Sequence, residues 1–145
     1  MSPGFSQGDF MWDKIKTIGI NVLIMLVIGL FLFWGETYLR QVWQYNNGEK
    51  ALAAGNYTMA IAGYESSIHM YTPFSSYVEK SANRLWVIGE LFEKQGQPER
   101  AIIAYRALRS SFYSTHGLVN PGMDWIKRCD EKIEPLVKLI ALQNR

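Results

Sequence analysis

The sequence predicts an all-helical protein: one membrane-spanning helix near the N-terminus, then a small domain of helical hairpins closed by a last helix. Three observations carry this. Thr17 to Gly35, TIGINVLIMLVIGLFLFWG, is a run of 19 residues without a charge. Beyond it the chain repeats itself at an offset of 41 residues. Near the end, apolar residues recur at spacings of three and four.

The first element is the apolar run. A hydrocarbon core needs about 20 apolar residues at helical rise. Lys14 and Lys16 precede the run, and Glu36 and Arg40 follow it. Trp12 and the Phe33–Trp34 pair bracket it as interfacial anchors. A cleaved signal peptide would have a shorter apolar region and a small-residue cleavage site. This run ends in FLFWGETYLR without one, so it reads as an uncleaved anchor over 17–35 behind a tail over 1–16. A domain of this size could not enclose a helix apolar on every side. The lysines sit tight against the span on a short N-terminal segment. They place that end in the cytoplasm and the domain over 36–145 on the other side of the membrane. Asn21 is an amide inside the span and seeks a partner there. With nearby Gly19 it marks an expected helix–helix contact.

Composition narrows the functions. Net charge is +2, and from Gln41 onward 12 Lys plus Arg face 10 Asp plus Glu, so no nucleic-acid footprint exists. Cys129 is the single cysteine, which excludes an internal disulfide. His69 and His116 stand at no recognised spacing from it. No HExxH, P-loop, GxSxG or CxxC appears. The expectation is a protein without enzymatic activity, cofactor, metal or small-molecule substrate. Asn56-Tyr57-Thr58 matches a glycosylation acceptor but falls in a tight turn, and reads as chance.

The next elements come from the repeat. GEKALAAGNYTMAIAGY and GELFEKQGQPERAIIAY align Gly48 with Gly89, Glu49 with Glu90, Gly55 with Gly96, Ala60 with Ala101, Ile61 with Ile102 and Tyr64 with Tyr105; Tyr45 falls on Trp86. Each piece predicts a helix, a glycine turn and a second, antiparallel helix. Gly48 and Gly89 let the second helix approach closely. Gly55 and Gly96 take the left-handed conformation after the first helix, and Pro98 suits the first turn of the next. Ala60 and Ala101 permit tight crossings, and Tyr64 and Tyr105 fill the space between layers.

This order of residues resembles the tetratricopeptide repeat, a 34-residue helix–turn–helix unit. Gln41 to Phe74 supplies Gly48, Gly55, Tyr57, Ala60 and Tyr64, with Pro73 closing the unit one place late. Ala82 to Thr115 supplies Gly89, Phe92, Gly96, Ala101 and Tyr105. The pattern's early Trp is missing from both units, and Ser67 and Leu108 stand where Ala is usual. Seven residues, Ser75 to Ser81, separate the units. Ser76-x-x-Glu79 reads as a capping box, predicting a helix from about Tyr77 to Gln95.

The last element follows a loop, STHGLVNPG. Asn120 and Pro121 read as N-cap and first helical residue. Trp125, Ile126, Cys129, Ile133, Leu136, Val137 and Ile140 form one apolar stripe over a helix at 121–142. Such a helix would cap the final repeat. Pro135 should kink or split it.

The resemblance implies a groove lined by the first helices, used to bind protein partners. Carried over, the groove residues are Tyr45, Glu49 and Leu52 in the first unit, and Trp86, Glu90, Glu93 and Lys94 in the second. Tyr45 and Trp86 each precede a glutamate by one helical turn, which puts ring and acid side by side. The implied function is a membrane-anchored scaffold or adaptor, an accessory subunit of an envelope-assembly, secretion or ion-driven motor complex. The alternative is a structural subunit of an energy-converting membrane complex held through Gly19 and Asn21. Partners are then proteins and the lipid bilayer. A reporter active only in the periplasm, fused after Arg145, should be active; activity only from a cytoplasmic reporter would reverse the orientation.

Overall fold

The computed structural model describes residues 7–72, 75–115 and 121–143. Within them are five helices and no strand: α1 (Gln7–Ala53), α2 (Tyr57–His69), α3 (Ser76–Lys94), α4 (Pro98–Ser114) and α5 (Met123–Gln143). The chain divides into two units between Glu36 and Thr37. Pro73, expected to close the first repeat, and Asn120 and His116 of the last loop lie outside the described residues.

In the first unit, α1 is the one described helix long and apolar enough to cross a membrane, and none of its apolar window is buried. A helix apolar all round and covered by no other part of its chain suits lipid rather than a protein core. The all-helical class and the long apolar N-terminal helix expected from sequence are both present.

The second unit holds the core, and its two turns show why the hairpins form. Gly55 has φ 71° and Gly96 has φ 69°. The Gly55 N–H donates to the Leu52 carbonyl at 3.0 Å, and Asn56 N–H to Ala51 at 2.8 Å. In the second turn Gly96 donates to Glu93 at 3.0 Å and Gln97 to Phe92 at 2.9 Å. These paired bonds satisfy the last carbonyls of each first helix, and they need a residue that tolerates positive φ. The two second helices start differently. Asn56 caps α2, its Oδ1 accepting from the Met59 N–H at 3.1 Å, whereas α4 opens with Pro98.

Packing repeats as closely as the turns do. A Cβ on Gly48 would lie 2.8 Å from the Tyr64 ring, and one on Gly89 would lie 2.5 Å from the Tyr105 ring. Both tyrosines and both alanines, Ala60 and Ala101, have no exposed surface. Gly63, which the repeat did not single out, presses on the Gly48 backbone, where a Cβ would stand 2.8 Å from the Gly48 Cα. Neighbouring helices then stack in order, with α2 against α3, α3 against α4 and α4 against α5; α2 also meets α4.

Two details depart from the sequence reading. The cap of α3 is Ser75 and not Ser76: its Oγ accepts from the Tyr77 N–H at 3.2 Å. Glu79, the expected partner in the capping box, instead accepts from Trp125 Nε1 at 3.1 Å. Pro135 does not split α5, which runs unbroken from Met123 to Gln143. Pro135 and Glu131 are both exposed, so the proline ring and the residue whose carbonyl loses its helical donor both lie on the solvent side of α5, away from the core stripe. The stripe of α5 is buried at Trp125, Ile126, Cys129, Ile133 and Leu136.

Gly89→Ala should therefore destabilise the domain. Alanine would gain about 1 kcal/mol of helix propensity. Overpacking costs about 1–3 kcal/mol, and Tyr105 cannot swing aside because Trp86 lies 5.0 Å from it. Chemical denaturation should show a net loss of up to roughly 2 kcal/mol. An unchanged midpoint would mean the ring can move.

Candidate protein-binding face

Each first helix of the second unit carries an aromatic residue that bridges two neighbours. On α1, Tyr45 is half-buried, with ring centroids 5.7 Å from Tyr64 and 5.2 Å from Tyr77 of α3. On α3, Trp86 is half-buried, 5.0 Å from Tyr105 and 5.9 Å from Trp125 of α5. The sequence placed Tyr45 and Trp86 in equivalent positions, and the structure gives them equivalent neighbours. Edge-on and tilted ring pairs at these separations are attractive beyond simple burial. The Arg128 guanidinium stacks 4.3 Å from both tryptophan rings.

The acids beside these rings have internal partners. Glu49 accepts from the Tyr64 hydroxyl at 2.6 Å and takes a two-pronged bond from Arg84 on α3, both contacts at 2.7 Å. In the second layer Glu93 plays that part. It accepts from the Tyr105 hydroxyl and from Lys132 of α5 at 2.9 Å. Glu90 accepts from Trp86 Nε1 at 2.9 Å, so this acid does sit beside its aromatic ring. Leu52 is packed against the core, while Lys94 is exposed.

Burial and these bonds set the ionisation. Burial alone would raise the Glu49 carboxyl, but hydrogen bonds from Tyr64 and Arg84 outweigh it and hold the group below its ordinary range. The bond to Glu49 raises Arg84 in turn. Burial and an adjacent carboxylate push both Tyr64 and Tyr105 upward. Cys129 is fully covered, and burial pushes its thiol up to about 12, away from the reactive thiolate.

Along α3 from Asn83 onward, Asn83, Val87 and Lys94 are exposed and half-buried Glu90 lies among them, at spacings of four, three and four. Val87 is 53% exposed. Groove positions carried over from the repeat missed it; the available signal was a valine lying off the core stripe of its own helix. On the first unit, Gly19 and Asn21 are both exposed. Two residues along an α-helix are about 200° apart around it, so α1 does not bring them to one face.

No group of three or more His, Cys, Asp or Glu among the described residues could hold a metal ion. The arrangement offers helical surface, with the pairs Glu49–Arg84, Glu93–Lys132 and Arg109–Asp130 joining one helix to another. Compared with protein-family models, curated proteins and solved structures, the chain matches none.

The Glu49 carboxyl has a testable consequence. Because its folded-state value is lowered, its stabilisation is present above the unfolded carboxylate pKa of about 4.3 and is lost as pH falls through the lower folded value. The melting temperature should drop as pH falls below about 4. Glu49→Gln should flatten that part of the profile. An identical acid limb in the variant would assign the pH response to other carboxylates.

Proposed function

We propose that this protein is a membrane-anchored adaptor that binds and positions another protein. It would serve as an accessory subunit of a bacterial inner-membrane complex for envelope assembly, secretion or ion-driven motion, with the helical domain in the periplasm. The observation that carries this reading is the duplicated hairpin. The same glycine, tyrosine, acid and bridging aromatic recur in two layers, the construction by which tetratricopeptide-like domains offer a ligand a rigid helical face. The exposed stripe of Asn83, Val87 and Lys94 beside half-buried Trp86 and Glu90 supplies that face. An apolar residue ringed by polar ones is a suitable anchor point for a peptide or helix.

A second reading rests on Asn21. An exposed amide within the uncharged run of α1 favours a neighbouring helix in the bilayer, which would make the protein a structural subunit of an energy-converting complex held through its span. Photo-cross-linking in native membranes separates the two. A photoreactive residue at Val87 should yield a discrete adduct, and one at exposed Ala62 on α2 should not. Adducts at Asn21 with none at Val87 would favour the second reading and remove the adaptor face.

A further inference from the structure

We infer that the groove between α4 and α5 is a seat for an amphipathic helix of a different protein, one carrying a small residue opposite Val137. The seating of α4 itself shows the pattern. It lies on α2 and α3, with Tyr105 over Gly89, and its Arg100 and Ile103 line a hollow of about 130 Å³ with Tyr57, Thr58, Ile61 and Phe92. The next step along the stack presents the same surface again. The offset that aligns Tyr64 with Tyr105 also lays Thr58 on Glu99 and Ile61 on Ile102. Trp125 meets Trp86 as Tyr77 meets Tyr45. That match lays Phe92 on Ile140 and Gly89 on Val137. Glu99, Ile102, Val137 and Ile140, with Ile103 and Arg106, line an open groove of about 280 Å³.

The α2–α3 surface is covered by α4, but no described helix covers its counterpart. Ile103 is 58% and Val137 41% exposed. Helix-in-groove recognition uses this geometry: an apolar floor taking side chains at spacings of three and four, with charged rims fixing direction. Glu99 and Arg106, two turns apart on α4, are the rim charges. They suit a cation and an acid at matching separation on the incoming helix.

Val137 decides which helix fits. Tyr105 packs over Gly89 because glycine leaves room for its ring, and a Cβ there would already meet it at 2.5 Å. At the open seat the glycine is a valine. A helix that brings a tyrosine to this point, as α2 or α4 of a second copy would, is excluded by overlap. A helix with Ala or Gly there is admitted.

Two peptides on the full-length chain in detergent test the inference. One has the α4 sequence Pro98–Ser114, and the other is the same peptide with Tyr105→Ala. Fluorescence anisotropy should show the Tyr105→Ala peptide binding at least about tenfold more tightly. Val137→Gly in the protein should shift the preference toward the parent peptide. Ile103→Asp, at an exposed position, should abolish binding of both while the circular-dichroism melt stays unchanged. Three results would each overturn the proposal: no binding by either peptide, a preference that ignores Val137→Gly, or self-association of the wild-type chain by sedimentation that Ile103→Asp abolishes, which would make the occupant a second copy. Failure of the Val87 cross-link leaves this seat unaffected, since it lies on other residues.

Discussion

A tyrosine ring lying on a glycine is the constraint on which the rest of the domain depends. Gly48 beneath Tyr64 and Gly89 beneath Tyr105 set how closely the helices of each hairpin approach. The ring then places its hydroxyl on an acid of the first helix, Glu49 or Glu93, and that acid holds a cation from the next first helix, Arg84 or Lys132. One contact thus fixes the hairpin and the step to its neighbour. The magnitudes rank the links. Burying an aromatic side chain of 150–250 Å² at about 25 cal/mol per Å² gives an upper value near 4–6 kcal/mol. A half-exposed ion pair adds about 1 kcal/mol or less. The ring holds the layers together, and the ion pairs select their register.

Gln41 links three elements in another way. It is fully buried, donates to the Ser67 carbonyl at 3.0 Å and accepts from Ser75, the cap of α3. Removing it would strand buried polar groups at the end of α2 and the start of α3, where the loss of a partner costs more than the bond contributes.

What could be read from the sequence follows from how local each determinant is. Gly55 and Gly96 were legible because positive φ strongly favours glycine. The α5 stripe was legible because its period is local. The α3 cap slipped by one residue because Ser75 and Ser76 are equally good acceptors in sequence, and only the path of the preceding chain chooses between them. The partners of Glu49 and Glu93 were not legible, since Arg84 and Lys132 reach them from other helices. The same cause blurred the candidate face. Tyr45 and Trp86 satisfy the pattern for ligand anchors, yet much of each ring is engaged by neighbouring helices, and Val87 beside them is the side chain left to solvent.

The order of packing carries a consequence for how the chain acquires its shape. Each described helix from α2 onward rests on its predecessor, and the contacts described above reach no further than the next helix but one, as α1 with α3, α2 with α4 and α3 with α5. Contacts this close in sequence close small loops, which folds chains quickly and leaves little time for apolar surface to find the wrong partner. The first hairpin can shut over Gly48 as soon as α2 has left the ribosome, before α5 has been made. Assembly can therefore keep pace with synthesis, from α1 outward.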